Sequence, residues 1–145
     1  MKYVQIDEDT GEISWDSYFE YLRSIQGRLP AALYSYASDW EHYSLGGRDS
    51  LHDAGLVSVQ IGFRSNEVVL EFLGVRHDRK HVFTYLDVEQ YKIDLDVTYK
   101  YGDRDVLAHE FRMDGGGIVH EIAFSDKRTI SISAANVVPR VDVLS

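Results

Sequence analysis

The spacing of apolar residues changes at Leu56, and this change constrains the fold of the chain more than any other feature. Before this point apolar residues recur at helical spacing, whereas from Val57 to Ile132 they occupy alternate positions. Each strand-like run then has one mostly apolar and one mostly polar face, which is typical of an antiparallel sheet with water on one side. Internal repeats and alternating strand–helix units are absent from the sequence, so a parallel sheet is not expected.

Two short helices are predicted before the change. Ser17 and Glu20 have the spacing of a capping box at the start of the first helix, and Gly27 would end this helix at its C-terminal cap. Pro30 suits the first position of a second, shorter helix. The second helix would carry Leu33, Tyr34 and Tyr36.

The whole chain, residues 1–145, is expected to form a single α+β domain. A chain of this length can bury one sizeable core without disulfides or metal ions. Residues 1–50 would be helical and rich in loops, and residues 51–145 would form a mainly antiparallel sheet of six to seven strands, a meander of hairpins. Because two short helices supply little apolar surface, the sheet is predicted to curve around them, or to fold partly on itself, rather than to lie flat.

The first hairpin of the sheet is predicted from its turn. If residues 64–67 form the turn, Phe63 pairs with Val68. In the same register Ile61 lies opposite Leu70, and the apolar residues of both strands share one face.

Two further details concern the later strands. Alternate apolar or aromatic positions continue from 83 to 101, which is too long for one strand, so a break is expected near residues 87–90 and a new strand at 91–99. The C-terminal segment, residues 137–144, is interrupted by Pro139. Because proline cannot donate a ladder hydrogen bond, this segment is predicted to lie on an edge.

The sequence HEFRMDGGGIVHE, residues 109–121, places a His-Glu pair on each side of a glycine-rich turn. A turn centred on residues 115–116 pairs Phe111 with His120. His109 and His120 then become diagonal neighbours on the apolar face, within side-chain reach of each other. The two glutamates point to the opposite face, so the pleat excludes a site made within either dipeptide.

The two histidines raise the question of a metal ion. Zinc takes three or four protein ligands, and the chain has no cysteine to supply one, so a third ligand such as His52 would be required. The alternative is that His109 and His120 are core side chains hydrogen-bonded to the backbone or to tyrosine. On the face turned to solvent, Arg112 would lie diagonal to both glutamates in a cross-strand charge cluster.

The formal charge of −9 is unevenly distributed. Residues 1–60 hold ten acidic and four basic residues, a balance of −6, against −3 for residues 61–145. A field of this sign repels phosphate backbones, so a nucleic-acid partner is not expected and a basic protein is favoured. The chain has neither the apolar core of a signal peptide nor a stretch of ~18 apolar residues, which predicts a cytoplasmic protein without membrane contact.

Aromatic and acidic residues concentrate in and after the second predicted helix. A surface that mixes them is typical of a protein-binding site, because aromatic side chains anchor interfaces at low entropic cost. The alternative is that these rings cover the open end of the sheet. The predicted binding residues are Tyr34, Tyr36, Asp39, Trp40, Glu41 and Tyr43.

Three segments follow the helices: LHDAGLVSV, LEFLGVRHDRKHVFTY and HEFRMDGGGIVHEIAFSDKRTISI. In this layout the chain resembles small uncharacterised bacterial α+β proteins, some of which are similar to immunity proteins, which neutralise a toxin by binding it. The resemblance implies a non-enzymatic binder and carries over no functional residue.

Two hypotheses of function follow. The first is a non-enzymatic, immunity-like, cytoplasmic protein-binding module that needs no cofactor and uses the acidic and aromatic surface against a basic partner. The second is a small histidine-dependent enzyme or metal-binding protein that uses His109 and His120, with His52 as the third ligand or base. A sheet with sparse helical cover is also compatible with a homodimer.

Overall fold

The computed structural model describes residues 1–95 and 105–145. Within these ranges two α-helices lie against a six-stranded antiparallel sheet, and a two-stranded sheet precedes them. The predicted α+β class is confirmed. In chain order the elements are β1 (Gln5–Ile6), β2 (Ile13–Ser14), α1 (Asp16–Ser24), α2 (Ala31–Ala37), β3 (Gly55–Gly62), β4 (Glu67–Leu73), β5 (Arg79–Ile93), β6 (Val106–Asp114), β7 (Gly117–Phe124) and β8 (Thr129–Val143).

The helix ends differ from those predicted. α1 starts at Asp16, its N-cap is Trp15, and no side chain caps it, so the predicted capping box at Ser17 is wrong. Asp16 instead places a negative charge in the first turn, where the helix dipole favours it. Gly27 lies in a 3-10 turn beyond the helix rather than at its C-cap. α2 begins directly after Pro30, one position later than predicted.

The six strands of the large sheet lie in the order β3-β4-β5-β8-β7-β6. The succession of hairpins is therefore interrupted once, between β5 and β6, because β5 pairs with β8. Two three-stranded meanders are joined side by side through these two long strands. The joining contact is non-local, so the alternation of side chains that predicted the strands did not predict their order.

Strand β5 bends without ending. At the predicted break it has a bulge between Val88 and Gln90, preceded by Asp87 at φ 51°. A bulge increases the local twist and bends a strand, so one strand of fifteen residues can follow the curved sheet. Of the strand predicted at 91–99, residues 91–93 belong to β5, and residues 96–99 lie outside the described ranges.

The sheet curls until its two edge strands meet at one end. Gly55 at the start of β3 forms an antiparallel bridge with Asp105, the residue before β6. Next to this bridge the Asp53 N–H donates to the Val106 carbonyl at 2.8 Å, and the Val106 N–H donates to the Ala54 carbonyl at 2.9 Å. The predicted curvature is confirmed by this contact.

The position of Pro139 agrees with its prediction. Pro139 lies opposite Phe83 of β5, whereas β7 pairs only with residues 129–134 of β8. Among the described strands, the C-terminal half of β8 therefore has one neighbour, and the proline sits on an edge.

The register predicted for the first hairpin is wrong by two residues. Ile61 pairs with Val68, and Val59 pairs with Leu70. The turn begins one residue earlier than predicted, so Phe63 belongs to it and is 79% exposed. The sequence prediction placed Phe63 in the strand because its side chain is hydrophobic. The end of the strand is set instead by the turn, which Asn66 closes at φ 55°, a conformation that asparagine tolerates.

Tyrosines from α1 cover the open edge of β6. The hydroxyl of Tyr18 accepts from the Phe111 N–H at 3.0 Å, and the hydroxyl of Tyr21 accepts from the Met113 N–H at 2.8 Å. Both backbone groups face away from β7, where a further strand would otherwise be required. The helix is thus attached to the sheet by hydrogen bonds as well as by apolar contact.

The charge cluster on the outer face of the β6–β7 hairpin is confirmed, but it is not turned to solvent. Arg112 contacts Glu110 at 3.0 Å and Glu121 at 2.8 Å. Glu110 is fully buried because the N-terminal segment crosses it, and its carboxylate accepts three backbone N–H groups at 2.9 to 3.1 Å, from Lys2, Tyr3 and Val4.

Candidate functional site

The structure divides the predicted binding residues between the core and the surface. Tyr36 and Tyr43 are buried, and Tyr34 is half-buried. The remaining three, Asp39, Trp40 and Glu41, are exposed on a 3-10 turn after α2. A partner can reach this turn but not the two buried rings.

The two buried tyrosines hold the region together. Tyr43 donates its hydroxyl proton to the Ala37 carbonyl at 2.7 Å and meets the hydroxyl of Tyr18 at 3.1 Å. The hydroxyl of Tyr36 lies 3.2 Å from Nδ1 of His81. Burial raises the pKa of both tyrosines well above the ordinary value, so both remain neutral.

Trp40 is the most prominent side chain of the exposed turn. It is 49% exposed although it belongs to a cluster of aromatic rings. Its ring lies 6.0 Å from that of Trp15, with the planes at 80°, and 5.9 Å from that of Phe19. Asp39 fixes the turn that carries Trp40, because its carboxylate accepts the Glu41 N–H at 3.0 Å.

Two depressions are both lined by Trp40, and together we call them the tryptophan groove. The larger has a volume of about 790 Å³ and the smaller about 440 Å³. Both share Ile13, Trp15 and Trp40 as walls. The larger is closed by the β1–β2 turn and by the loop after Trp40, and its remaining lining residues include Glu12, Tyr43 and Leu45.

The segments that form the tryptophan groove carry only negative formal charge. The sequence has no lysine or arginine between Lys2 and Arg23, and none between Arg28 and Arg48. These two intervals hold eight acidic residues, all exposed, and none forms an ion pair with another described residue. They are Asp7, Glu8, Asp9, Glu12, Asp16, Glu20, Asp39 and Glu41.

Sequence reasoning identified one side of the groove and missed the other. Trp15, Glu12 and Ile13 come from the stretch before α1, more than twenty residues away from Trp40. The available signal was the alternation of acidic, apolar and aromatic residues in DEDTGEISWD, residues 7–16.

The predicted histidine pair is present in the core. His109 Nδ1 lies 3.0 Å from His120 Nε2, and His120 Nδ1 lies 2.6 Å from the hydroxyl of Tyr85. Burial lowers the pKa of His109 to about 3 and lowers that of His120 well below its ordinary value. Both rings are therefore neutral at pH 7. One of the two nitrogens at their contact carries a hydrogen and donates it to the other.

The third predicted ligand is held elsewhere. His52 Nδ1 lies 2.8 Å from the Leu107 carbonyl oxygen, and its Nε2 lies 3.5 Å from Asp53. In residues 1–95 and 105–145 no three histidine or acidic side chains lie close enough together to hold a metal ion. Two further histidines, His42 and His81, flank Tyr36, with the His42 ring stacked on it at a centroid distance of 3.7 Å.

Comparisons with known proteins give a structural likeness but no family. No protein-family model and no curated protein matches the chain. The crystal structure of an uncharacterized protein from Neisseria gonorrhoeae aligns with a TM-score of 0.47 and 16% identity, covering 64% of this chain and 93% of that one. No helix in the described part of the chain is long and apolar enough to cross a membrane.

Proposed function

We propose that this protein is a non-enzymatic binding module whose tryptophan groove recognises a basic segment of a partner protein. The observation that carries the proposal is the half-exposed Trp40, which lines two depressions built from segments whose eight acidic residues are exposed and form no ion pair with another described residue. Tryptophan is enriched among the residues that dominate binding energy at protein interfaces. The surrounding carboxylates select the sign of the partner's charge.

The negative charge of the groove also affects the rate at which a partner binds and the dependence of binding on salt. Carboxylates that lie within a Debye length of each other, about 8 to 10 Å at physiological salt, act jointly on an approaching cation. This speeds the encounter with a basic partner, and added salt weakens it. A nucleic acid would be repelled by the same field.

A specific form of the proposal is an immunity-like role in the cytoplasm, in which the protein neutralises a basic toxin by covering its surface. The unpaired acids support the choice of a basic target, and a cysteine-free chain is suited to a reducing compartment. That the protein forms a homodimer is a separate prediction. Light scattering after size-exclusion chromatography tests it by measuring the molar mass.

The experiment is an unbiased selection of random displayed peptides on the immobilised protein. We expect enrichment of basic peptides that compete with one another for one site. The double variant Asp39→Asn/Glu41→Lys should lose them, since the side-chain amide introduced at position 39 retains an acceptor oxygen for the backbone N–H of residue 41 while the charge becomes more positive. Selection of neutral or acidic peptides, or peptides bound equally by the variant, would contradict the proposal.

A matched control is available outside the lining of the groove. Asp87 and Glu89 are exposed on β5, far along the chain from the groove, and Asp87→Asn/Glu89→Lys changes the net charge as much as Asp39→Asn/Glu41→Lys. The control should retain the selected peptides. If it loses them to the same extent, net charge rather than the groove determines binding.

A further inference from the structure

We infer that the tryptophan groove takes an arginine side chain of the partner, stacked in the corner between Trp15 and Trp40. This inference rests on the proposed function, because it specifies which cation of a basic segment the groove receives. The two indole planes meet at 80° with centroids 6.0 Å apart, so they form two walls of an aromatic corner. A cation placed over an indole face is attracted by the ring quadrupole.

The carboxylates around the corner are placed for a planar cation. Glu12 lines the larger depression and Asp16 lines the smaller one, so each depression has an exposed acid in its lining. A guanidinium stacked on an indole keeps its N–H donors in its own plane, directed outward to such carboxylates. A lysine ammonium is more strongly hydrated and presents no flat face to the ring.

The depth of the groove suits a side chain that belongs to a peptide. The two depressions share three lining residues, Trp40 among them, so an extended segment that runs along Trp40 can place side chains in both. Among the described residues neither depression is lined by lysine or arginine, and the larger one includes the buried Tyr43 in its lining. The arginine therefore meets apolar walls and negative rims without a competing cation.

The chain supplies its own reporter for the test. Trp15 and Trp40 are its two tryptophans, and both line the groove, so emission excited selectively from tryptophan reports on this site alone. Three peptides of identical length are titrated into the full-length protein, with three arginines, three lysines or three citrullines in a glycine background. Citrulline keeps the planar shape of arginine and removes its charge.

We expect the arginine peptide to change the emission with a dissociation constant about threefold to tenfold lower than that of the lysine peptide, the range that one cation–π contact supplies. The citrulline peptide should produce no change. Equal affinity for the arginine and lysine peptides, or binding of the citrulline peptide, would overturn the inference.

Substitutions at Trp40 separate stacking from charge. Trp40→Phe keeps an aromatic face and should weaken the arginine peptide less than Trp40→Leu, which should remove the preference for arginine over lysine. Phe63→Leu changes an exposed aromatic residue outside the groove and should leave both affinities unchanged. Trp15 remains as the fluorophore in every variant, and circular dichroism melts verify that each variant is folded.

The outcomes also distinguish the inference from the function on which it rests. If both basic peptides bind equally and Trp40→Leu binds as the parent does, the basic partner stands and the arginine corner is wrong. If neither basic peptide binds, and the peptide selection also yields no basic sequence, the proposed function itself is wrong.

Discussion

The ring of Tyr43 stacks on the imidazole of His109, with centroids 4.7 Å apart and planes inclined by 13°. The same tyrosine ring lies 5.0 Å from Trp15 in the wall of the tryptophan groove. The candidate binding surface and the buried histidine pair therefore share one side chain. A substitution that destabilises the packing of the buried histidine pair should therefore also disturb the walls of the tryptophan groove.

The first prediction concerns acid. Burial lowers the pKa of His81 to about 4 and that of His109 to about 3, and it also lowers the pKa of His120, whereas all three have ordinary values near 6.5 when unfolded. The unfolded chain thus binds more protons. Stability is fully present above about pH 6.5 and is lost as the pH falls towards the folded values, by up to about 1.4 kcal/mol per pH unit for each histidine.

Urea unfolding at several pH values between neutral and about pH 5 measures this slope. His109→Gln should reduce the slope, because one of the three histidines no longer takes up a proton on unfolding. His77→Asn is the control, since His77 is exposed in a turn at φ 59° and asparagine tolerates this conformation. A parent slope near zero over this range would show that the buried histidines do not limit stability.

The second prediction concerns Tyr18, whose hydroxyl accepts a backbone N–H from the open edge of β6. Tyr18→Phe leaves the buried Phe111 N–H without its acceptor, so the free energy of unfolding should fall by about 1 to 3 kcal/mol. Tyr34→Phe is the control, because the Tyr34 hydroxyl makes no hydrogen bond with a described residue and the substitution should cost well under about 1 kcal/mol. If urea unfolding shows that the two variants lose the same free energy of unfolding, the hydrogen bond from β6 to the tyrosine does not stabilise the fold.

The third prediction concerns Glu110. Its buried carboxylate accepts three backbone N–H groups and contacts Arg112, so Glu110→Gln replaces an acceptor by an N–H₂ donor that faces other donors. We expect a loss of about 2 to 4 kcal/mol, in the range for breaking a buried charged network. Glu89→Gln should change stability by less than about 0.5 kcal/mol. A small effect at Glu110 would show that water already competes for its carboxylate.

The fourth prediction separates the two hypotheses of function. If His109 and His120 are core residues, protein purified without a histidine tag should contain no stoichiometric zinc. In calorimetric titrations with zinc, the parent and the variant His109→Gln/His120→Gln should then give the same heat. Stoichiometric zinc that the double variant loses would support the metal hypothesis, and the search for function would then move to chemistry at this pair.

How far the sequence predicts this protein depends on how local each feature is. The register of the β6–β7 hairpin is correct because Gly115 and Gly116, at φ 59° and 90°, fix the turn and with it the pairs that follow. The contact between His109 and His120 follows directly from that register.

Apart from the cap of α1 and the turn of the first hairpin, the features that the sequence did not predict are non-local. The pairing of β5 with β8 depends on competition among strands of similar pattern, and no turn specifies it. Trp40 was predicted as a binding residue, but its partner Trp15 belongs to a different part of the chain. The burial of Glu110 likewise depends on the N-terminal segment, which alternation within β6 cannot reveal.

The most direct test of the central claim is the fluorescence titration of the arginine peptide at low and high salt, about 50 and 300 mM, with parent protein and with Asp39→Asn/Glu41→Lys. We predict that the parent binds the peptide at low salt, that high salt weakens binding several-fold, and that the variant binds weakly under both conditions. Binding that is independent of salt and equal in the two proteins would contradict the account, because the acidic tryptophan groove would then not be the site.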